Sequence, residues 1–330
     1  MGAGKKHKSG KSFKNYLTIA FYNLENLFDT EDDLYTDDNA FLPDSDRRWT
    51  PKRFRKKVRK LGYTIAQIGR KSTDKHPVLV GLAEVENQSV VEELLRSKFL
   101  RDLPYDFVHY DSPDERGIDT ALIYDTNFFE LDHSEIYSIE LFDKEGAQDH
   151  TRDILYVRGK LKGEMMHILV NHWPSRREGP EESEPKRLKA SDKLIDIIKS
   201  ITEADLDAKI IVMGDFNDGP NDKSIKQLAH FLDLYNPMQQ LKSFSRGSLS
   251  HKFQWNLFDQ ILFSTNFFEF IPGKHSFSRA DIFDRQFLKQ YKGKYKGSPF
   301  RTYIGKKYKG GYSDHFPVYV MLKRNRQSPS

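Results

Sequence analysis

The chain has 330 residues, 37% of them hydrophobic and 13% aromatic, with 53 basic against 48 acidic residues and no cysteine. That apolar content supports one large core and excludes a wholly disordered chain. Without cysteine there are no disulfides, thiolate nucleophiles or thiolate metal centres, so any metal must sit on carboxylate, amide or imidazole ligands.

Residues 1–14, with five lysines and no acid, read as a disordered basic tail ahead of a single domain over 15–324, and 325–330 as a second short tail. No hydrophobic signal region follows those lysines, and no apolar run approaches the roughly 18 residues of a membrane-spanning helix. A cytoplasmic monomer without a transmembrane segment is the expectation. Strand-sized apolar runs then recur at 17–23, 77–84, 120–124, 154–161, 165–173, 209–217, 258–264 and 317–322. Several are apolar on both parities, as strands buried on both faces are. Helical spacing alternates with them. Thr50-Pro51 starts a pattern through Phe54, Val58, Leu61, Ile65 and Ile68, a second runs from Pro185 through Leu188, Leu194, Ile198 and Ile201, and shorter ones cover 90–95 and 225–232. Buried strands mixed with helices and undivided by any linker predict a layered α/β protein with one core.

The polar residues that end these runs carry the chemistry, because ligands of α/β folds bind where strands give way to loops. Side-chain alternation groups Asn23 with Leu17, Ile19 and Phe21, and Glu84 with Val78, Val80 and Leu82. It groups His172 with Met166, Ile168 and Val170, and Asp215 and Asn217 with Ile211 and Met213. Asp259 shares a parity with Leu257 and Ile261, and Asp314 and His315 precede the last run. One polar strand end is ordinarily a hydrogen-bonded structural group, but several independent strands ending this way predict a shared site. Glu84, Asp215, Asp259 and Asp314 would repel one another there unless a cation or an imidazolium neutralised them.

Carboxylates with an amide suit Mg²⁺ or Mn²⁺. The chain has no P-loop, no nucleophile elbow and no dinucleotide fingerprint, which removes the main support for ATPase, α/β-hydrolase and oxidoreductase readings. Metal-assisted phosphoester hydrolysis fits what remains. Residues 285–309 add nine Lys or Arg and no acid, interleaved with Tyr291, Tyr295, Phe300, Tyr303 and Tyr308, whereas 29–46 hold eight acids and no base. The basic segment has the composition of a nucleic-acid-binding face and equally that of a solvated loop.

The segments FYNLENLFD (21–29), GLAEVEN (81–87), RGIDTALIY (116–124), VNHWPSR (170–176), VMGDFND (212–218), FDQILFS (258–264) and YSDHFPVYV (312–320) resemble, in this order, the motifs of the endonuclease/exonuclease/phosphatase superfamily, the DNase I-like enzymes. The resemblance spans about 16–323 and implies a four-layer α-β-β-α sandwich, two mixed sheets packed face to face, with a Mg²⁺ or Mn²⁺ site at the sheet edges. By resemblance Glu84 is the metal-binding glutamate, Asn23 the amide beside it and Asp314 a second metal-associated acid. Asp215 matches the residue that orients or deprotonates the attacking water, and Asn217 a hydrogen-bond partner of that aspartate or of the phosphate. His315 matches the histidine on the scissile phosphate, Asp259 the carboxylate that holds its ring, and His172 a further site position. The Leu-Asp-Tyr pattern of abasic-site enzymes is absent, and the Trp-Cys-Asp-Arg signature of 5-phosphatases cannot exist here. NHWPSR and the Tyr-Lys-Gly-rich loop before YSDH resemble a bacterial branch. The expected function is a divalent-metal-dependent, endonuclease-type phosphodiesterase with nucleic acid as substrate, the alternatives being a phosphatase or phosphodiesterase of small-molecule or lipid phosphoesters and a binding module that kept the fold.

Overall fold

The computed structural model describes residues 15–326 except 35, 144 and 178, so the basic tail over 1–14 lies outside the described residues. Twelve strands build its two principal sheets: β1 (Tyr16–Leu27), β2 (Leu79–Val85), β3 (Tyr105–His109), β4 (Asp119–Asp125), β5 (Phe129–Tyr137), β6 (Ile154–Leu161), β7 (Glu164–His172), β8 (Ile210–Asp215), β9 (Leu234–Tyr235), β10 (Asp259–Ser264), β11 (His275–Ile282) and β12 (Val318–Arg324). The first sheet runs β11-β12-β1-β2-β4-β3 and the second β9-β10-β8-β7-β6-β5, six strands in each. Both are mixed, since β1 and β2 pair in parallel, as do β7 and β8, while their other neighbours are antiparallel.

Helices cover the outer faces, giving the four-layer sandwich. Pro51–Gln67 begins with proline in its first turn, and the Thr50 carbonyl accepts from the Arg53 and Phe54 amides. The Thr50 side chain makes no capping bond. This helix buries Phe54, Val58, Leu61 and Ile65 on the first sheet, next to Gln88–Leu95. Glu184–Ala204 and Lys223–Phe231 pack Leu194, Ile198, Ile225 and Leu228 on Leu169, Val212 and Leu262 of the second sheet.

The alternating residues Ile168, Val170, Ile211, Met213, Ile261 and Phe263 belong instead to the core between the sheets. Gly81 lets the sheets meet, because a Cβ there would lie 2.5 Å from Met213 Sδ and 3.1 Å from Phe21. The polar ends of these inward series, rather than the helix-facing ones, therefore come together at one end of the sandwich. At the other terminus, Asn325 is no tail residue: it is buried, donates to the Lys274 carbonyl at 2.9 Å and accepts from Ser276 Oγ at 2.9 Å. Residues 327–330 of the expected tail lie outside the described residues. No described helix is long and apolar enough to cross a membrane.

Candidate active site

Register aligns the second sheet's contribution, with Asp215 opposite His172 on one side and Asp259 on the other. All three are buried. Asn23, at the end of the inward series of β1, reaches across the sandwich so that its Nδ2 donates to Asp215 Oδ2 at 3.0 Å, while its Oδ1 accepts from the Glu25 amide at 2.9 Å. His315 Nδ1 lies 2.7 Å from Asp259 Oδ2, and its Nε2 stands 3.9 Å from Asp215 Oδ2 and 3.8 Å from Asp314 Oδ1. His172 Nε2 is 3.9 Å from both Asp215 Oδ2 and Glu84 Oε1. Asn23, Glu84, His172, Asp215, Asp259, Asp314 and His315 are thus brought to one place.

Two of the expected site residues arrive by routes that strand alternation does not describe. β2 pairs in register with β1 as Phe21 with Gly81 and Tyr22 with Leu82, so Gly81 and Ala83 face the second sheet, whereas Val80 and Leu82 face the helices. Simple parity would send Glu84 to the helix side. Glu84 instead has φ of 61° and sits where the β2 register slips against both neighbours, and such a bulge re-aims the side chain. Its Oε2 accepts from the Asn26 amide at 2.7 Å. Asn217 likewise lies past the end of β8, in left-handed backbone with φ of 51°, a conformation that asparagine tolerates better than most residues. Its amide donates to Asp215 Oδ1 at 3.0 Å and its side chain to the Trp173 carbonyl at 2.9 Å. The loop is pinned from below, Arg176 donating to the Asn217 carbonyl at 2.6 Å and Arg187 pairing with Asp218 at 2.7 Å.

Electrostatics divide the two histidines. Burial disfavours charge on His315, yet Asp259, then Asp215 and Asp314, outweigh it and hold the ring well above its ordinary pKa. Burial and then Arg152, Arg116 and His315 hold His172 well below, and its Nδ1 is buried without a hydrogen-bond partner among the described residues. The surroundings thus favour a charged ring at His315 and a neutral ring at His172. Burial, with Asp259 next, pushes Asp215 up to about 6, against the pull of His315 and the Asn217 amide.

Several charged residues here carry no sequence signal of their own. Glu25 lies inside the first motif, where no spacing marks it out. It is buried, accepts from the Thr302 amide at 2.6 Å and is pushed up to about 7 by burial and Asp314. Buried Lys57 donates to the Glu25 carbonyl and, at 2.9 Å, to Thr302 Oγ1. Arg301, from the basic segment, pairs with Asp314 at 2.6 Å and Glu25 at 3.4 Å. Arg116 donates to Asn26 Oδ1 at 2.5 Å. Of the other basic-segment residues, Lys289 and Lys306 pair with Asp284 and Asp46, whereas Lys292, Lys294 and Lys296 are exposed.

Oxygen-rich donors around buried, mutually repelling acids fit a hard divalent cation. Residues 18–324 match the model of the Endonuclease/Exonuclease/phosphatase family. Among curated proteins none matches the sequence. Solved structures share the fold. A humanised D. rerio TDP2 has a TM-score of 0.57 at 18% identity, covering 94% of this chain and 99% of its own. D. rerio TDP2 complexed with a single-strand DNA product has a TM-score of 0.55 at 17% identity, with 93% and 99% covered. A Bacteroides thetaiotaomicron mannosyl-6-phosphatase has a TM-score of 0.58 at 15% identity, again with 93% and 99% covered.

Proposed function

Since the chain belongs to the endonuclease/exonuclease/phosphatase family, we propose that it is a divalent-metal-dependent phosphodiesterase that cleaves nucleic acid. The observation that carries this reading is the His315 ring, fixed at Nδ1 by buried Asp259 at 2.7 Å with Nε2 turned toward Asp215 at 3.9 Å. A charged imidazole beside a buried, protonatable carboxylate is a pairing that hydrolysis uses and simple binding does not need.

Glu84 would hold the Mg²⁺ or Mn²⁺, with Asp314 and the second lone pair of Asn23 Oδ1 as further oxygen donors. When bound, the cation supplies polarisation of the phosphoryl oxygens and neutralises part of the acidic cluster. Asp215 orients the attacking water and takes its proton. The Asn217 amide on Oδ1 and the Asn23 amide on Oδ2 hold its plane fixed. His315 presents its Nε2 proton to the phosphate oxygen on which charge develops, and Asp259, accepting from Nδ1, favours the doubly protonated ring that carries it. His172, held below its ordinary pKa, stands 3.9 Å from both Glu84 and Asp215 and does not favour a charge that would compete with the cation.

Exposed Lys292, Lys294 and Lys296, together with the single-strand DNA product held by D. rerio TDP2, favour a nucleic-acid substrate. The mannosyl-6-phosphatase neighbour favours the second reading, a small phosphoester. The test is a panel of single-stranded and duplex DNA, RNA, sphingomyelin and sugar phosphates, each with Mg²⁺, with Mn²⁺ and with EDTA. Cleavage of nucleic acid that EDTA abolishes supports the proposal. Turnover restricted to a sugar phosphate would move the substrate to the second reading, and metal-independent turnover would refute the site assignment.

A further inference from the structure

Beside the catalytic cluster lies a cavity of about 840 Å³ between the helix Pro51–Gln67 and the segment 283–312. The segments at 300–301 and 312–314 form the wall between it and the cluster. Phe300 and Tyr312 line the cavity, while Arg301 and Asp314, one and two residues along, pair at 2.6 Å on the catalytic side. The Tyr312 amide donates to the Phe300 carbonyl at 2.6 Å, which ties the two halves of the wall together.

Rings and cations make up most of the lining. Tyr63 and Phe287 meet edge-on at 5.2 Å, and Phe287 and Tyr312 tilt together at 5.6 Å. Lys60 has its ammonium 4.5 Å over the Tyr312 ring and bonded to the Gly310 carbonyl at 2.5 Å, so it is already engaged. Lys71 and Arg285 are exposed, and neither forms an ion pair among the described residues. No carboxylate lies among the described lining residues. A cavity of this size matches small-ligand sites, and its chemistry selects a flat aromatic group joined to an anion.

We propose that the cavity takes one unpaired nucleobase of the bound strand, stacked against Tyr63, with the adjoining phosphate met by Lys71 and Arg285. This rests on the nucleic-acid reading of the catalytic cluster and adds a choice of strand to it. A base within a duplex is covered above and below by its neighbours and must be unstacked before it can enter. The enzyme therefore prefers single strands, gaps or frayed ends to intact duplex.

The experiment compares a short single-stranded oligonucleotide, the same sequence as a blunt duplex, and bis(p-nitrophenyl) phosphate on the wild-type protein and on Tyr63→Ala, Tyr63→Phe and Lys71→Glu/Arg285→Glu. The wild type should cleave the single strand more efficiently than the duplex. Tyr63→Ala and the charge reversal should each raise KM for the single strand about tenfold with kcat nearly unchanged, which is the scale of one base stacked on a ring or one phosphate neutralised. Tyr63→Phe should behave as wild type, and hydrolysis of the small diester should be unaffected throughout. A 2-aminopurine base in the single strand should be quenched on binding to wild type and not to Tyr63→Ala. Equal cleavage of both strand forms, or an unmoved KM in the variants, overturns the cavity assignment while leaving the nucleic-acid reading intact. Failure of the wild type to cut any nucleic acid removes that reading itself. Tyr63-dependent hydrolysis of sphingomyelin vesicles in place of oligonucleotides would give the cavity to an acyl chain and also overturn the proposal.

Discussion

Replacing Asp259 by Asn tests whether the site's histidine is worked by its buried carboxylate. The Asp259 side chain is fully buried, receives His315 Nδ1 at 2.7 Å, and leaves its second oxygen without a partner among the described residues. An asparagine keeps the shape and can still accept from Nδ1, but the charge that favours imidazolium is gone. A hydrogen bond to a charged group contributes about 1.5–3 kcal/mol, so if it is made fully only in the transition state, its loss lowers kcat by about ten- to a hundredfold. Losing the carboxylate also removes the buried ion-pair partner of His315, so the midpoint of urea unfolding should fall at neutral pH. The assay is steady-state cleavage of a fluorescent oligonucleotide at saturating Mg²⁺, with Asp259→Asn measured alone and in a His315→Ala background. In that background the substitution should have little further effect, because the two residues act on one transition state. Multiplicative losses in the double variant would refute the reasoning.

Glu84→Gln should cut phosphodiester hydrolysis by about two orders of magnitude or more while leaving the unfolding midpoint within error, and EDTA should abolish wild-type activity with recovery on added Mg²⁺ or Mn²⁺. Lys57→Met removes the buried cation that offsets Glu25, Asp314 and Glu84 and should cost about 3 kcal/mol in urea unfolding. Adding Glu25→Gln should restore much of that loss, and a Lys57→Met protein as stable as wild type would contradict the charge balance described. Exposed Lys292, Lys294 and Lys296, replaced together by Ala, should flatten the log-log salt dependence of duplex DNA binding by up to about 0.9 for each phosphate they had neutralised. Cleavage of a small chromogenic diester should be unchanged. An unaltered slope would make the segment a solvated loop.

All eight apolar runs visible in the sequence lie in strands of the two sheets, because a strand buried on both faces must be apolar at nearly every position. The four strands it did not announce, β3, β5, β9 and β11, are the four sheet edges. One side of an edge strand has no neighbour, and much of β5 lies exposed, so its polar residues hide the alternation. Alternation also placed Asn23, His172, Asp215 and Asp259 correctly at the ends of the inward series, since for an unbroken strand the facing of each residue follows from its number. It failed at Glu84 and Asn217, where a left-handed residue or a strand end breaks the count, and no local pattern announces such a break. Beyond the reach of any spacing were the meeting of His315 with Asp259 across 56 positions, the grouping of Glu25 with Lys57 and Arg301, and the aromatic cavity between one helix and the basic segment. Composition and period report how far each residue is buried, so they delimit the core and the strands that fill it. Which buried charges face one another depends on how the two sheets are laid together, and only the tertiary structure decides that.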